Sequence, residues 1–95
     1  MKHYIIVKFN DTIKDRQLLL RQISQLFSQA ANIDGVLGVS VHPAVLMSEK
    51  RYDLMICMDM EKEEALALFD QSSVHRLWKE SFSQYIAHKV IFDCA

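Results

Sequence analysis

The chain has 95 residues and is close to electrically neutral. The sequence has 11 basic and 12 acidic side chains, for a formal net charge of −1, and 51% of its residues are hydrophobic. This length predicts one domain over residues 1–95, and the charge balance argues against a nucleic-acid or anionic membrane partner. Two cysteines, Cys57 and Cys94, are too few for a disulfide scaffold, so reduced thiols and a cytoplasmic location are expected.

The first predicted elements are a strand and an amphipathic helix. Residues 2–9, "KHYIIVKF", are rich in β-branched and aromatic side chains and favour a strand. Asp11 or Thr12 is expected to cap the next helix, because Asp15 follows Thr12 at the spacing of a capping box. Gly35 can adopt the positive φ that ends a helix. The apolar residues at helical spacing are Leu19, Leu20, Ile23, Leu26, Phe27 and Ala30.

The remaining pattern completes a βαββαβ order, with a polar break, "DQSS", near residue 70. This order predicts an α+β, ferredoxin-like fold with a four-stranded antiparallel sheet and helices on one face. The other predicted elements are a strand over 36–42 closed by Pro43, a strand over 52–60, a helix over 62–69, a helix over 74–85 and a strand over 87–94.

The first and third strands are apolar on both faces. In the third strand, Met55 and Cys57 alternate with the apolar positions of the opposite face. The helices can cover only one face, so the other face predicts a homodimer in which two sheets face each other. Lys8, Asp53 and Asp59 are expected to share this dimer-facing side.

Five segments together resemble the stress-responsive α/β-barrel domain family. These segments are "KHYIIVKF", "YDL", "EEALALF", the histidine of "SSVH" and "HKVIFD". The resemblance spans nearly the whole chain and implies a dimer whose eight strands form a shared barrel with helices outside. Some plant members are polyketide cyclases, and other members are stress-associated proteins that form stable larger oligomers.

The resemblance also indicates where a site would lie. The cyclases pair a histidine at the start of the last helix, matched by His75, with a tyrosine six residues earlier, where this chain has Phe69. His3 matches the histidine of the family's first strand, but a histidine that cyclases carry in strand three falls at Leu54. Because Phe69 has no hydroxyl group, these departures argue against cyclase chemistry of the plant type.

His75 is the candidate catalytic residue. Helical geometry places it at the edge of the apolar arc of its helix, leaning towards the sheet near His3. An imidazole there either acts as a general base or donates one hydrogen bond and stays inert. The expected partners for its ring are His3, Tyr52 and the serines of the preceding break. The residues expected to line a ligand site beside it are His3, Ile5, Val7, Leu54, Phe69 and Trp78.

Two functions remain open on the sequence alone. The first is a dimeric barrel protein that binds a small apolar molecule between sheet and helices. The second is an enzyme of the cyclase or monooxygenase type that acts on polyketide-like or aromatic compounds by acid–base catalysis, without a cofactor or metal. A cavity of a few hundred cubic ångströms would favour a small-molecule site, whereas a filled interior would favour a barrel protein that binds no ligand there.

Overall fold

The strands and helices follow one another in βαββαβ order in the computed structural model, which describes residues 1–95. The strands are β1 (Lys2–Phe9), β2 (Val36–Pro43), β3 (Leu54–Met60) and β4 (Ile86–Cys94). The helices are α1 (Arg16–Ser28), α2 (Glu64–Asp70) and α3 (Ser73–Leu77), with a π turn at Trp78–Phe82 and 3-10 turns at Gln29–Asn32 and Ser83–Tyr85. None of the helices is both long and apolar enough to cross a membrane.

The four strands form one antiparallel sheet in the order β2-β3-β1-β4. β1 lies at the centre, where Ile5 is opposite Ile56 of β3 and Ile91 of β4. This arrangement confirms the predicted α+β, ferredoxin-like fold.

The core fills the space between the sheet and the helices. Alternate residues of β1 and β3 are buried, as the period of two in a strand requires. Three aromatic side chains, Phe27, Phe69 and Trp78, are at most 2% exposed. The rings of Phe27 and Trp78 pack edge to face, with centroids 5.1 Å apart. The interior is therefore filled by side chains.

The opposite face of the sheet has no helix over it. Its side chains include Tyr4 and Ile6 of β1, which lie opposite Phe92 and Val90 of β4. Phe92 is 58% exposed and Val90 is 43% exposed. We call this side of the sheet the open face.

The start of α1 differs from the prediction. Asp15 is the N-cap, and its carboxylate accepts a hydrogen bond of 3.0 Å from the backbone N–H of Leu18. Thr12 instead donates its hydroxyl to the side chain of Asn10, at 2.6 Å. The predicted cap at Asp11 or Thr12 is wrong, because several polar residues in succession offer equivalent capping chemistry and the sequence does not rank them.

Asp53 also differs from the prediction. It precedes β3, is 5% exposed, and accepts a hydrogen bond of 2.8 Å from the backbone N–H of Phe9. Arg16 Nη2 lies 3.4 Å from its Oδ1 atom and Lys8 Nζ lies 3.9 Å away. Asp53 therefore joins the end of β1 to the start of α1 and does not belong to the open face, where Asp59 pairs with Lys2 at 3.2 Å.

The chain after α2 is less regular than the single helix predicted over 74–85. Ser72 caps α3 and accepts a hydrogen bond of 3.2 Å from the backbone N–H of His75. The helix then widens into the π turn at Trp78–Phe82 and tightens into a 3-10 turn before β4. The apolar spacing of the sequence carries no mark of this change in winding.

Candidate functional site

A cleft of about 280 Å³ lies between the edge of the sheet and the helices that follow β3. The sheet side of the cleft is lined by His3, Ile5, Lys89, Ile91 and Asp93. The helix side is lined by Leu66, Phe69, Asp70, His75, Trp78 and Lys79.

His3 is held by a carboxylate of the neighbouring strand. β1 and β4 pair so that His3 lies directly opposite Asp93. His3 Nδ1 and Asp93 Oδ1 are 2.5 Å apart, and the histidine is only 5% exposed. With its proton on Nδ1, the ring donates to Asp93 and leaves Nε2 as the nitrogen that can accept a proton from a ligand.

His75 is held less tightly than His3. Its side chain is 22% exposed, and its Nε2 atom lies 3.9 Å from Asp70 Oδ1. This distance is too long for a hydrogen bond and fits an ion pair only when the imidazole carries a proton. Ser72 fixes the backbone of His75 through the helix cap and accepts no bond from the ring.

Phe69 lies beside both histidines. Its ring centroid is 6.0 Å from that of His3 and 5.2 Å from that of His75, the latter edge to face. Phe69 is 1% exposed, so it forms an apolar floor between the two imidazoles. The cleft therefore places two imidazole rings on either side of an aromatic side chain.

Most of the residues predicted for the site meet in this cleft. His75, His3 and Phe69 are joined there by Ile5 and Trp78.

Two predicted binding residues lie outside the cleft. Val7 is fully buried in the core, and Leu54 is 2% exposed. Leu54 and Tyr52 line a separate depression of about 190 Å³ together with Ile6, a residue of the open face. Tyr52 is therefore not a partner of His75.

Sequence reasoning missed the charged residues of the cleft. Asp93 and Lys89 reach it through the register of β4 against β1, which joins positions almost a full chain length apart. Lys79 follows His75 by four residues, about one helical turn, whereas Asp70 ends α2 and lies before the break that precedes α3. The helical spacing of Lys79 from His75 is visible in the sequence and was the one available signal.

Two polar groups of the open face have shifted pKa values. The carboxylate of Asp59, which accepts a hydrogen bond from Lys2, raises the pKa of Lys2. Partial desolvation, with Cys57 nearby, raises the pKa of Tyr4. The neutral phenol is thus the favoured form of Tyr4 on this face.

Several solved structures share this architecture. A dimeric ferredoxin-like protein of unknown function from Thermobifida fusca YX is 19% identical, with a TM-score of 0.83, and the alignment covers 99% of this chain and 88% of that one. A protein of Arabidopsis thaliana is 15% identical, with a TM-score of 0.78 and coverages of 99% and 92%. The hydroxynitrile lyase of Passiflora edulis is 10% identical, with a TM-score of 0.75 and coverages of 96% and 87%. No curated protein sequence matches the chain.

The antiparallel sheet with helices on one face and a histidine-lined cleft at its margin define a ferredoxin-like α+β protein. Residues 1–95 match the family model of the stress responsive A/B barrel domain (Dabb). The chain belongs to this family, and the resemblance drawn from its sequence is confirmed.

Proposed function

We propose that this protein is a homodimeric barrel that binds a small, largely apolar molecule in the cleft between the sheet and the helices. The observation that carries the binding function is the pair of histidines around Phe69, one of them buried and held by Asp93. The volume of about 280 Å³ is near the lower end of the roughly 300–1,000 Å³ of ligand pockets. The ligand is therefore about the size of one substituted ring.

The dimer is supported by the open face. Phe92 and Val90 expose large apolar surfaces there, beside Tyr4 and Ile6. Monomeric proteins seldom leave a contiguous apolar surface of this kind in water. Structural relatives from Thermobifida fusca YX and Bacteroides fragilis are described as dimeric, which supports a second copy as the cover.

The binding mode follows from the polarity of the cleft walls. Trp78, Phe69 and Ile91 offer apolar contact to a ring or a short chain. Nε2 of His3 can accept a hydrogen bond from a hydroxyl group of the ligand. The imidazole of His75 can donate a hydrogen bond to a second polar group or accept one from it. A phenol-like molecule satisfies both requirements.

A second candidate function is acid–base catalysis without a cofactor, and the contact between His3 and Asp93 favours it. In this scheme Nε2 of His3 removes a proton from the bound molecule, and Asp93 stabilises the imidazolium that forms. His75, the base predicted from the sequence, would return a proton from the opposite side of the ligand. Phe69 supplies no hydroxyl group, so the proton exchange depends on the two imidazoles.

Binding can be measured through Trp78, the only tryptophan of the chain. Because Trp78 lines the cleft, a ligand there changes its fluorescence. We expect small phenols to change the fluorescence of Trp78. His3→Gln should weaken their binding about fivefold, the equivalent of one hydrogen bond. His75→Gln should weaken it less, and Lys50→Gln, in the exposed loop between β2 and β3, should leave it unchanged.

The panel separates the two functions. If no phenol changes the fluorescence, or if binding is unchanged in both cleft variants, the binding function is wrong. If a bound compound is converted to a new product, detected by mass spectrometry, and His3→Gln abolishes the conversion, the protein is an enzyme. A compound that binds and is recovered unchanged contradicts catalysis on that compound and leaves the binding function in place.

A further inference from the structure

We infer that the ligand of the cleft is an anion, a small aromatic carboxylate, whose charged group lies against Lys79 and Lys89. This inference rests on the proposed binding function and adds the charge and the orientation of the ligand. It comes from the way in which charged side chains are distributed along the two walls of the cleft.

The sheet wall changes from basic to acidic along β4. Lys89, Ile91 and Asp93 alternate with the residues of the open face, so all three point to the helix side. At about 3.3 Å per residue, Lys89 lies roughly 7 Å from Ile91 and roughly 13 Å from Asp93. One end of the wall is therefore cationic, its middle is apolar and its other end is anionic.

The helix wall repeats the same sequence of charges. Asp70 and Asp93 both line a neighbouring, more open groove of about 800 Å³ that includes Met1 and the last two residues of the chain. Neither Lys79 nor Lys89 reaches that groove. The two carboxylates thus share one end of the cleft, and the two lysines lie away from it.

The two carboxylates face the histidines, whereas the two lysines have no carboxylate partner. Asp93 is bonded to His3, and Asp70 faces His75 at 3.9 Å. The ion pairs of the protein include neither Lys79 nor Lys89. Two exposed ammonium groups without a carboxylate partner, at the margin of the cleft, favour a ligand that brings its own negative charge.

The spacing fits a carboxylate attached to one ring. A carboxylate at the lysine end places an attached ring beside Ile91 and Trp78, about one ring length away. The far side of that ring then points towards His3 and His75. A dicarboxylate would place its second charge near Asp93 and Asp70, where like charges repel.

The test compares benzoate with benzamide, which has the same shape and no charge, by titration against Trp78 fluorescence. We expect benzoate to bind more tightly, with an affinity that falls as salt is added. Lys79→Gln and Lys89→Gln should each weaken benzoate binding about two- to fivefold, the upper part of the range for exposed ion pairs, and leave benzamide unchanged. Lys50→Gln, in the exposed loop between β2 and β3, is the matched control and should change neither.

Equal affinities for benzoate and benzamide would overturn this inference and leave the proposed function intact. The inference is also wrong if the double variant Lys79→Gln and Lys89→Gln keeps the full preference for benzoate while its thermal unfolding is unchanged. If neither these two compounds nor the neutral phenols bind, the proposed function fails and this inference fails with it.

Discussion

The imidazole of His3 is fixed by its neighbours on three sides. Asp93 Oδ1 lies 2.5 Å from its Nδ1 and accepts a hydrogen bond from it, the ring centroid of Phe69 lies 6.0 Å from its own, and its backbone belongs to the central strand β1. The sequence predicted His3 and His75 as neighbours of one cleft. It did not predict the role of Asp93, since that contact exists only in one register of β4 against β1.

His75 contributes to stability through its contact with Phe69, independently of any ligand. Replacing it by alanine removes an edge-to-face contact at 5.2 Å and part of the wall of the cleft. We expect His75→Ala to lower the free energy of unfolding by about 1–2 kcal/mol, measured from the urea midpoint. His75→Gln, which keeps more of the side-chain volume, should lose less.

A loss of less than about 0.5 kcal/mol for His75→Ala would be typical of a surface position. That result would contradict the packing contact and would leave ligand chemistry as the only role for this side chain.

Among the elements, the strands and α1 were the most predictable. β1 was predicted at its observed bounds, because its β-branched and aromatic residues agree with its alternating burial. The helix after residue 73 was predicted as continuous, and its π turn was missed, since apolar residues recur at helical spacing throughout it. The π turn begins at Trp78, which is 2% exposed.

Gly35 was predicted to end a helix, but the helical segment ends at Asn32 and Gly35 lies in the turn before β2, which the 3.0 Å bond from Val36 N–H to Ile33 O closes. Its φ is +87°, and a Cβ atom there would lie 2.9 Å from Ala65 Cβ. We expect Gly35→Ala to lower the free energy of unfolding by at least about 1–2 kcal/mol, the cost of the backbone conformation alone. The clash with Ala65 of α2 adds to this loss. The measurement is the shift in the thermal unfolding midpoint.

Gly38 is the matched control for Gly35. A Cβ atom at Gly38 would have no neighbour within 4 Å, so Gly38→Ala should change stability by no more than about 0.5 kcal/mol. Equal losses at the two glycines would contradict the assignment of a special backbone role to Gly35.

The whole molecule is organised by a sheet with two apolar faces. Apolar side chains at successive positions of β1 and β3 predicted that both faces of the sheet are apolar. In the structure, helices cover one of these faces. The prediction that Asp53 lies on the dimer-facing side is wrong. Asp53 precedes β3, so the alternation of side chains along that strand does not fix the face to which it points. Its nearest partners are the backbone N–H of Phe9 and the side chain of Arg16 at the start of α1, with Lys8 Nζ 3.9 Å away.

A charge at the centre of the open face should separate the two copies. Met55 lies opposite Ile6 on this face, so Met55→Glu would bury a carboxylate in the proposed interface. We expect this variant to lose dimer mass and stability together. Leu68→Glu is the matched control, since Leu68 is 45% exposed on α2 and faces no second copy in this arrangement.

The mass of the unmodified protein in solution tests the central claim most directly. Light scattering coupled to gel filtration should give twice the chain mass of 11.0 kDa, unchanged as the protein is diluted through the micromolar range. A mass of one chain at every concentration, for a protein that still unfolds cooperatively, would contradict the barrel of two copies.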